Sequence, residues 1–127
     1  MAVAGPLKAA SILSEREAKL CSYLERVAGQ EIVSRRIADS AWKAWEKLAA
    51  AVANLPVPDA GPGPDGSLLF AWDKDENHLE LEFQSDEQPS FFYANRQTGE
   101  AWEESFGWVR NMALECREGG RMAWLCR

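Results

Sequence analysis

Within residues 67–72 and 78–84 the chain places large apolar side chains at every second position. That is the period of a half-buried strand, and no helix presents one clean face from such a pattern. Residues 67–72 place Leu68, Phe70 and Trp72 on one side. Residues 78–84 place Leu79, Leu81 and Phe83 on one side and Glu80 and Glu82 on the other. Residues 89–95, with Phe91, Phe92 and Tyr93, read as a third strand, and Trp102 sits on a short fourth. The polar stretches 73–77 and 85–88 and the run Gln97, Thr98, Gly99 supply turns. Consecutive short strands joined by tight turns predict an antiparallel meander. Its apolar face needs a cover.

The available cover is the stripe of the second of two helices predicted in residues 1–55. Ser14 followed by Glu17 is a capping box, in which each side chain satisfies a free backbone N–H at a helix start. Leu13, Leu20, Leu24 and Val27 recur at helical spacing, and Gly29 is the expected stop, as a residue that accepts a left-handed cap. A second helix is expected from a cap at Asp39 or Ser40 to about residue 54, with Ala41, Trp45, Leu48, Val52 and Leu55 as its stripe and Trp42 off it. Residues 30–38 read equally as an extended link or as an early start of that helix. Pro56 and Pro58 end it. With Pro62 and Pro64, and with Gly61, Gly63 and Gly66, they make residues 56–66 a stiff exposed connection. Beyond residue 104, Trp108 or Val109 with Met112 and Cys116 fit a helix over about 105–118, stopped by Gly119 and Gly120. The tail 121–127 holds Met122, Trp124 and Leu125 and is too apolar to float free.

The expected fold is therefore α+β. Two N-terminal helices pack on a meander of three or four antiparallel strands, followed by a C-terminal helix or docked tail. At 127 residues, with 46% hydrophobic and 27% charged side chains, this is one domain with a real core. Its parts are the helical region 1–55, the linker 56–66, the sheet 67–104 and the segment 105–127. No stretch approaches the roughly 20 apolar residues of a membrane span. Residues 1–10 lack the basic start and apolar core of a secretory signal. Cys21, Cys116 and Cys126 form no C-x-x-C pair, so neither a zinc site nor a redox motif is indicated. A reduced, cytoplasmic protein is the simplest expectation, with a Cys116–Cys126 disulfide left open.

One stretch carries a resemblance. A helix rich in Ala and Leu ends at Leu55 and Pro56, and a Pro-rich link leads to Pro64, Asp65, Gly66 and Ser67. A strand closing at Trp72, an alternating Leu/Glu strand, an aromatic strand and the run from Thr98 through Gly99, Glu100, Ala101 and Trp102 to Glu103 follow in order. Over residues 37–104 this layout resembles a widespread group of small uncharacterised bacterial proteins with a helix and three strands. The resemblance implies a bacterial, cytoplasmic origin and supports the meander. It implies no activity.

Little in the sequence points to catalysis. His78 is the one histidine, so any Ser–His–Asp or Cys–His arrangement has to use it, and no nucleophile motif accompanies it. Asp73, Asp75 and Asn77 open like a calcium loop. The loop fails at its sixth position, where His78 replaces the glycine of the sharp turn, and at its twelfth, where Gln84 replaces a bidentate glutamate. A hairpin turn is the expected reading. Glu80 and Glu82 lie roughly 7 Å apart on one strand face by strand rise. Paired carboxylates do acid–base work when burial splits their pKa values, and a solvated face fits these two better. No glycine pattern cradles a phosphate. No cofactor, metal or catalytic residue is assigned.

The charge layout is more informative. The net charge is −6, which disfavours direct binding to nucleic acid. Between residues 73 and 104, ten acidic side chains face only Lys74 and Arg96, so that stretch alone carries −8. Six tryptophans are many for this length, and interface anchors are drawn from such residues. The candidate interaction residues are Asp73, Asp75, Glu76, Glu80, Glu82, Glu100, Trp102, Glu103, Glu104, Trp108 and Trp124. The expected function is non-enzymatic: an inhibitor, an antitoxin-like neutraliser or an accessory subunit. It would dock an acidic sheet face and exposed tryptophans on a larger protein, including one with a basic nucleic-acid-binding surface. The alternatives are a structural subunit of a homo-oligomer, motivated by the apolar tail 122–126 and an open sheet edge, and a small enzyme using Glu80 or Glu103.

Overall fold

A computed structural model describes residues 13–84, 88–104 and 108–127. The stretch read as no signal, most of the turn at 85–88 and the expected helix start at residue 105 lie outside them.

Helix α1 spans Glu15–Gly29 and opens on the expected capping box. Ser14 Oγ accepts the Glu17 backbone N–H at 3.1 Å, and Glu17 Oε1 accepts that of Ser14 at 3.2 Å. Gly29 is still helical. The left-handed residue is Glu31 (φ 58°), two positions on, because the chain must turn sharply to place Val33 in the core. Helix α2 spans Arg35–Ala51 and is capped by Ser34, whose Oγ accepts the Ile37 N–H at 3.1 Å. The caps expected at Asp39 and Ser40 are corrected: both lie inside the helix, because Ser34 offers the same acceptor earlier and lets Ile37 and Ala38 join the buried face. Trp42 is also buried, so the stripe is wider than a single row. Trp45 Nε1 donates to Glu17 Oε2 at 2.9 Å and links the two helices.

Five strands form one sheet in the order β1-β2-β3-β4-β5, all pairs antiparallel. They are β1 (Asp59–Pro62), β2 (Leu68–Lys74), β3 (Asn77–Phe83), β4 (Ser90–Asn95) and β5 (Ala101–Glu104). The expectation of three or four strands is thereby corrected. The extra one, β1, comes from the Pro/Gly linker. An edge strand tolerates proline because one of its sides has no partner to serve. Trp72 Nε1 donates to the Pro56 carbonyl at 2.7 Å and anchors the approach to β1.

Leu68, Phe70, Trp72, Leu79, Leu81, Phe83, Phe91 and Tyr93 fill the inner face and join the helices in one core. Each such side chain contributes about 1.5–3 kcal/mol by leaving water. Tyr93 brings a hydroxyl into this core, and it donates to Asn77 Oδ1 at 2.6 Å. Helix α3 is shorter than expected, Trp108–Glu115. The tail docks as a 3-10 turn, Ala123–Cys126, with Met122 and Leu125 buried. No helix among the described residues is long and apolar enough to cross a membrane.

Candidate functional site

Strand parity divides the sheet into two unlike faces. The register aligns Asp59, Ala71, Glu80, Phe92 and Glu103 in one row across all five strands. Beside it lie Gly61, Leu69, Glu82 and Ser90 on one flank and Asp73, His78, Ala94 and Ala101 on the other. Paired residues share a face, so these thirteen form the outer surface, opposite the helices. None of them is fully buried, and Phe92 is one of the exposed large hydrophobic residues. Carboxylates from β3 and β5 flank its ring.

A charged cluster fixes one end of this face. His78 Nδ1 lies 2.7 Å from Asp73 Oδ1 and Nε2 lies 2.8 Å from Glu80 Oε2. Arg96 also pairs with Asp73. A ring whose two nitrogens both meet carboxylates is held best as the imidazolium, which can donate from both. Burial works against that charge, but the hydrogen bonds to Glu80 and Asp73 outweigh it and raise the His78 pKa above its ordinary value. Asp73 shows the complement. Burial opposes its carboxylate, yet hydrogen bonds from Arg96 and His78 bring its pKa below the usual range. With both nitrogens so engaged, His78 has none free to activate a nucleophile.

The eleven candidate residues are not brought together. Asp73, Glu80, Glu82 and Glu103 share the outer face. Asp75 and Glu76 form the two-residue β2–β3 turn, where Asp75 takes a positive φ of 55°. The hairpin reading of the calcium-like segment is what the structure shows. No cluster of three or more metal-ligating side chains occurs among the described residues. Glu100 lies in the β4–β5 turn, which the Arg96 N–H ties to the Glu76 carbonyl at 2.8 Å.

Trp102 and Trp124 are half-buried, and Glu104 lies off the acidic outer face. Trp102 and Glu104 are on the inner parity, not the outer one. Trp102 stacks on Tyr93 with ring centroids 5.3 Å apart, and Arg121 covers it at 4.3 Å. Trp124 packs 6.1 Å from the same tyrosine. Both indoles are half-buried against the core because β5 and the docked tail extend the inner face beyond α2. Trp108 opens α3, and its side chain lies outside the described residues.

Two important residues were not singled out from the sequence. Phe92 was readable, since it has the opposite parity to Phe91 and Tyr93. Arg121 was not, because nothing local shows that an arginine after two glycines folds back over Trp102. It also reaches Glu104 at 2.8 Å and, through Nε, Glu115 at 2.6 Å.

No family model matches the chain, and comparison with curated proteins and with solved structures returned no match.

Proposed function

We propose that the chain is a protein-interaction module that binds a cationic partner on the outer face of its sheet and acts by binding, not by catalysis. The observation that supports this reading is the row Asp59, Ala71, Glu80, Phe92 and Glu103, an apolar ring among carboxylates on a face that no described residue buries. An aromatic centre with a charged surround has the composition of an interface anchor with its rim. The carboxylates select a basic surface and speed encounter with it. A basic nucleic-acid-binding groove has that chemistry, so an inhibitor, a neutraliser or an accessory subunit of such a protein belongs to this proposal. So does the bacterial, cytoplasmic setting implied by the resemblance. Of the two motives for a homo-oligomer, the apolar tail is spent inside the fold, where Met122 and Leu125 are buried, while the sheet keeps its edges at β1 and β5.

The test is capture of partners on the immobilised protein at about 0.1 M and about 0.5 M salt, between which the screening length falls from about 10 Å to a few Å. A stoichiometric basic protein should bind at the lower strength and be lost at the higher. It should also be lost with Phe92→Ala, and with Glu80→Lys, Glu82→Lys and Glu103→Lys combined. A partner that the triple variant retains refutes the proposal.

A further inference from the structure

A second chemistry lies where the chain after α3 doubles back. Met122 N–H donates to the Glu115 carbonyl at 2.8 Å, closing the reversal. Gly120 sits so close to that carbonyl that an added Cβ would lie 2.2 Å from it, so only glycine fits there. The reversal returns Cys126 to Cys116. Both thiols are free and half-buried, and both line one cavity beside Arg127. We propose that Cys116 and Cys126 form a reversible dithiol–disulfide site whose substrate is a low-molecular-weight disulfide.

The surroundings assign an order to the two thiols. Burial pushes the Cys116 thiol up to about 12, and the neighbouring Cys126 adds to this. Burial also raises Cys126, but the Cys116 S–H and the charge of Lys74 draw it back. Thiolate is the nucleophile in exchange. Cys126 therefore attacks first. Its thiolate takes one sulfur of the incoming disulfide, the S–S bond of that molecule breaks, and the other half leaves as a thiolate. Cys116 then attacks Cys126 Sγ, its proton passing to solvent or the leaving group, and a second small thiol departs. The protein has lost two electrons and two protons, and the small disulfide has become two thiols. The new bond ties the turn Ala123–Cys126 to the end of α3, across the reversal at Gly119 and Gly120.

The test uses the full chain with Cys21→Ser, so that only this pair reacts, treated with oxidised glutathione. Intact mass should show the loss of two hydrogens, and both thiols should resist alkylation until dithiothreitol is added. No disulfide should join two chains, and a peptide map should link residue 116 to residue 126. With Cys116→Ser, a stable mixed disulfide should collect on Cys126. With Cys126→Ser, modification of Cys116 should be slower than that of Cys126 in the Cys116→Ser variant, in keeping with its smaller thiolate fraction. Two glutathione adducts per chain on the intact pair, a cross-linked dimer or unreacted thiols would overturn the proposal. The peptide map needs no variant at 116 or 126, so it decides the matter even where those variants fold poorly.

Discussion

Replacing Arg121 with alanine removes three contacts at once. The guanidinium lies over Trp102 at 4.3 Å, an interaction worth about 0.5–1 kcal/mol at a partly exposed site. It pairs with Glu104 at 2.8 Å, where the two side chains are 40% and 35% exposed. Such a pair contributes about 0.2–1 kcal/mol. Its pairing with Glu115 is of the same order, raised somewhat by two-atom contact. The Arg121 backbone N–H keeps its own bond to Glu115 Oε1, at 3.1 Å, in the variant. The expected loss is therefore about 1–3 kcal/mol, or roughly 3–10 °C in Tm for a domain of this size. The assay is urea unfolding followed by tryptophan fluorescence, at low and at about 0.5 M salt. Arg121→Ala should lower the midpoint without changing the slope, and its deficit should shrink, but not vanish, in salt, because the stacked contact is screened less. Acid sharpens the test. Hydrogen bonding from Arg121 outweighs burial and holds the Glu115 carboxyl below its ordinary range. Its contribution is present above the unfolded pKa and lost as pH falls through the folded one. The variant should lose less stability than the wild type over that acid window. A deficit below about 0.3 kcal/mol would refute the reasoning, since the smallest sum of the three contacts exceeds it.

Two further outcomes are expected. His78, whose folded pKa is raised, contributes stability that is full below its unfolded value near 6.5 and fades as pH rises through the folded value. His78→Gln should flatten the urea midpoint across that window, and an imidazole that titrates by NMR at or below about 6.5 would contradict the cluster. Ser34→Ala should cost about 1 kcal/mol by removing the α2 cap, while Asp39→Ala should stay within about 0.5 kcal/mol; equal effects would contradict the helix start.

The periodic part of the fold was legible because strand parity is a local property. Leu79, Leu81 and Phe83 against Glu80 and Glu82 specify a two-faced strand whatever surrounds them. The Ser14–Glu17 box was legible for the same reason, since its partners are three residues apart. The start of α2 was not, because three residues could each cap it and only the burial of Ile37 and Ala38 selects Ser34. Strand β1 was hidden by its prolines and glycines, which deny a strand on propensity and permit one only at a sheet edge. The acidic outer face followed from parity once β4 was placed. The tryptophans did not, because the fate of Trp102 and Trp124 is set by Arg121 and the returning tail, both distant in sequence.

The strand order β1-β2-β3-β4-β5 has a kinetic side. Every ladder joins neighbours along the chain, so each hairpin closes a short loop and can zip onto the one before it. The docked tail is the opposite kind of contact. Lys74 Nζ reaches the Arg127 backbone oxygen at 2.6 Å across 53 positions, and Met122 and Leu125 enter a core begun by α1 and α2. A chain leaving the ribosome can thus assemble its sheet early, while the inner face stays unsealed until residues 122–127 emerge. Until then Tyr93 and Trp102 remain wet, and that interval is when the unfinished protein is most exposed to aggregation.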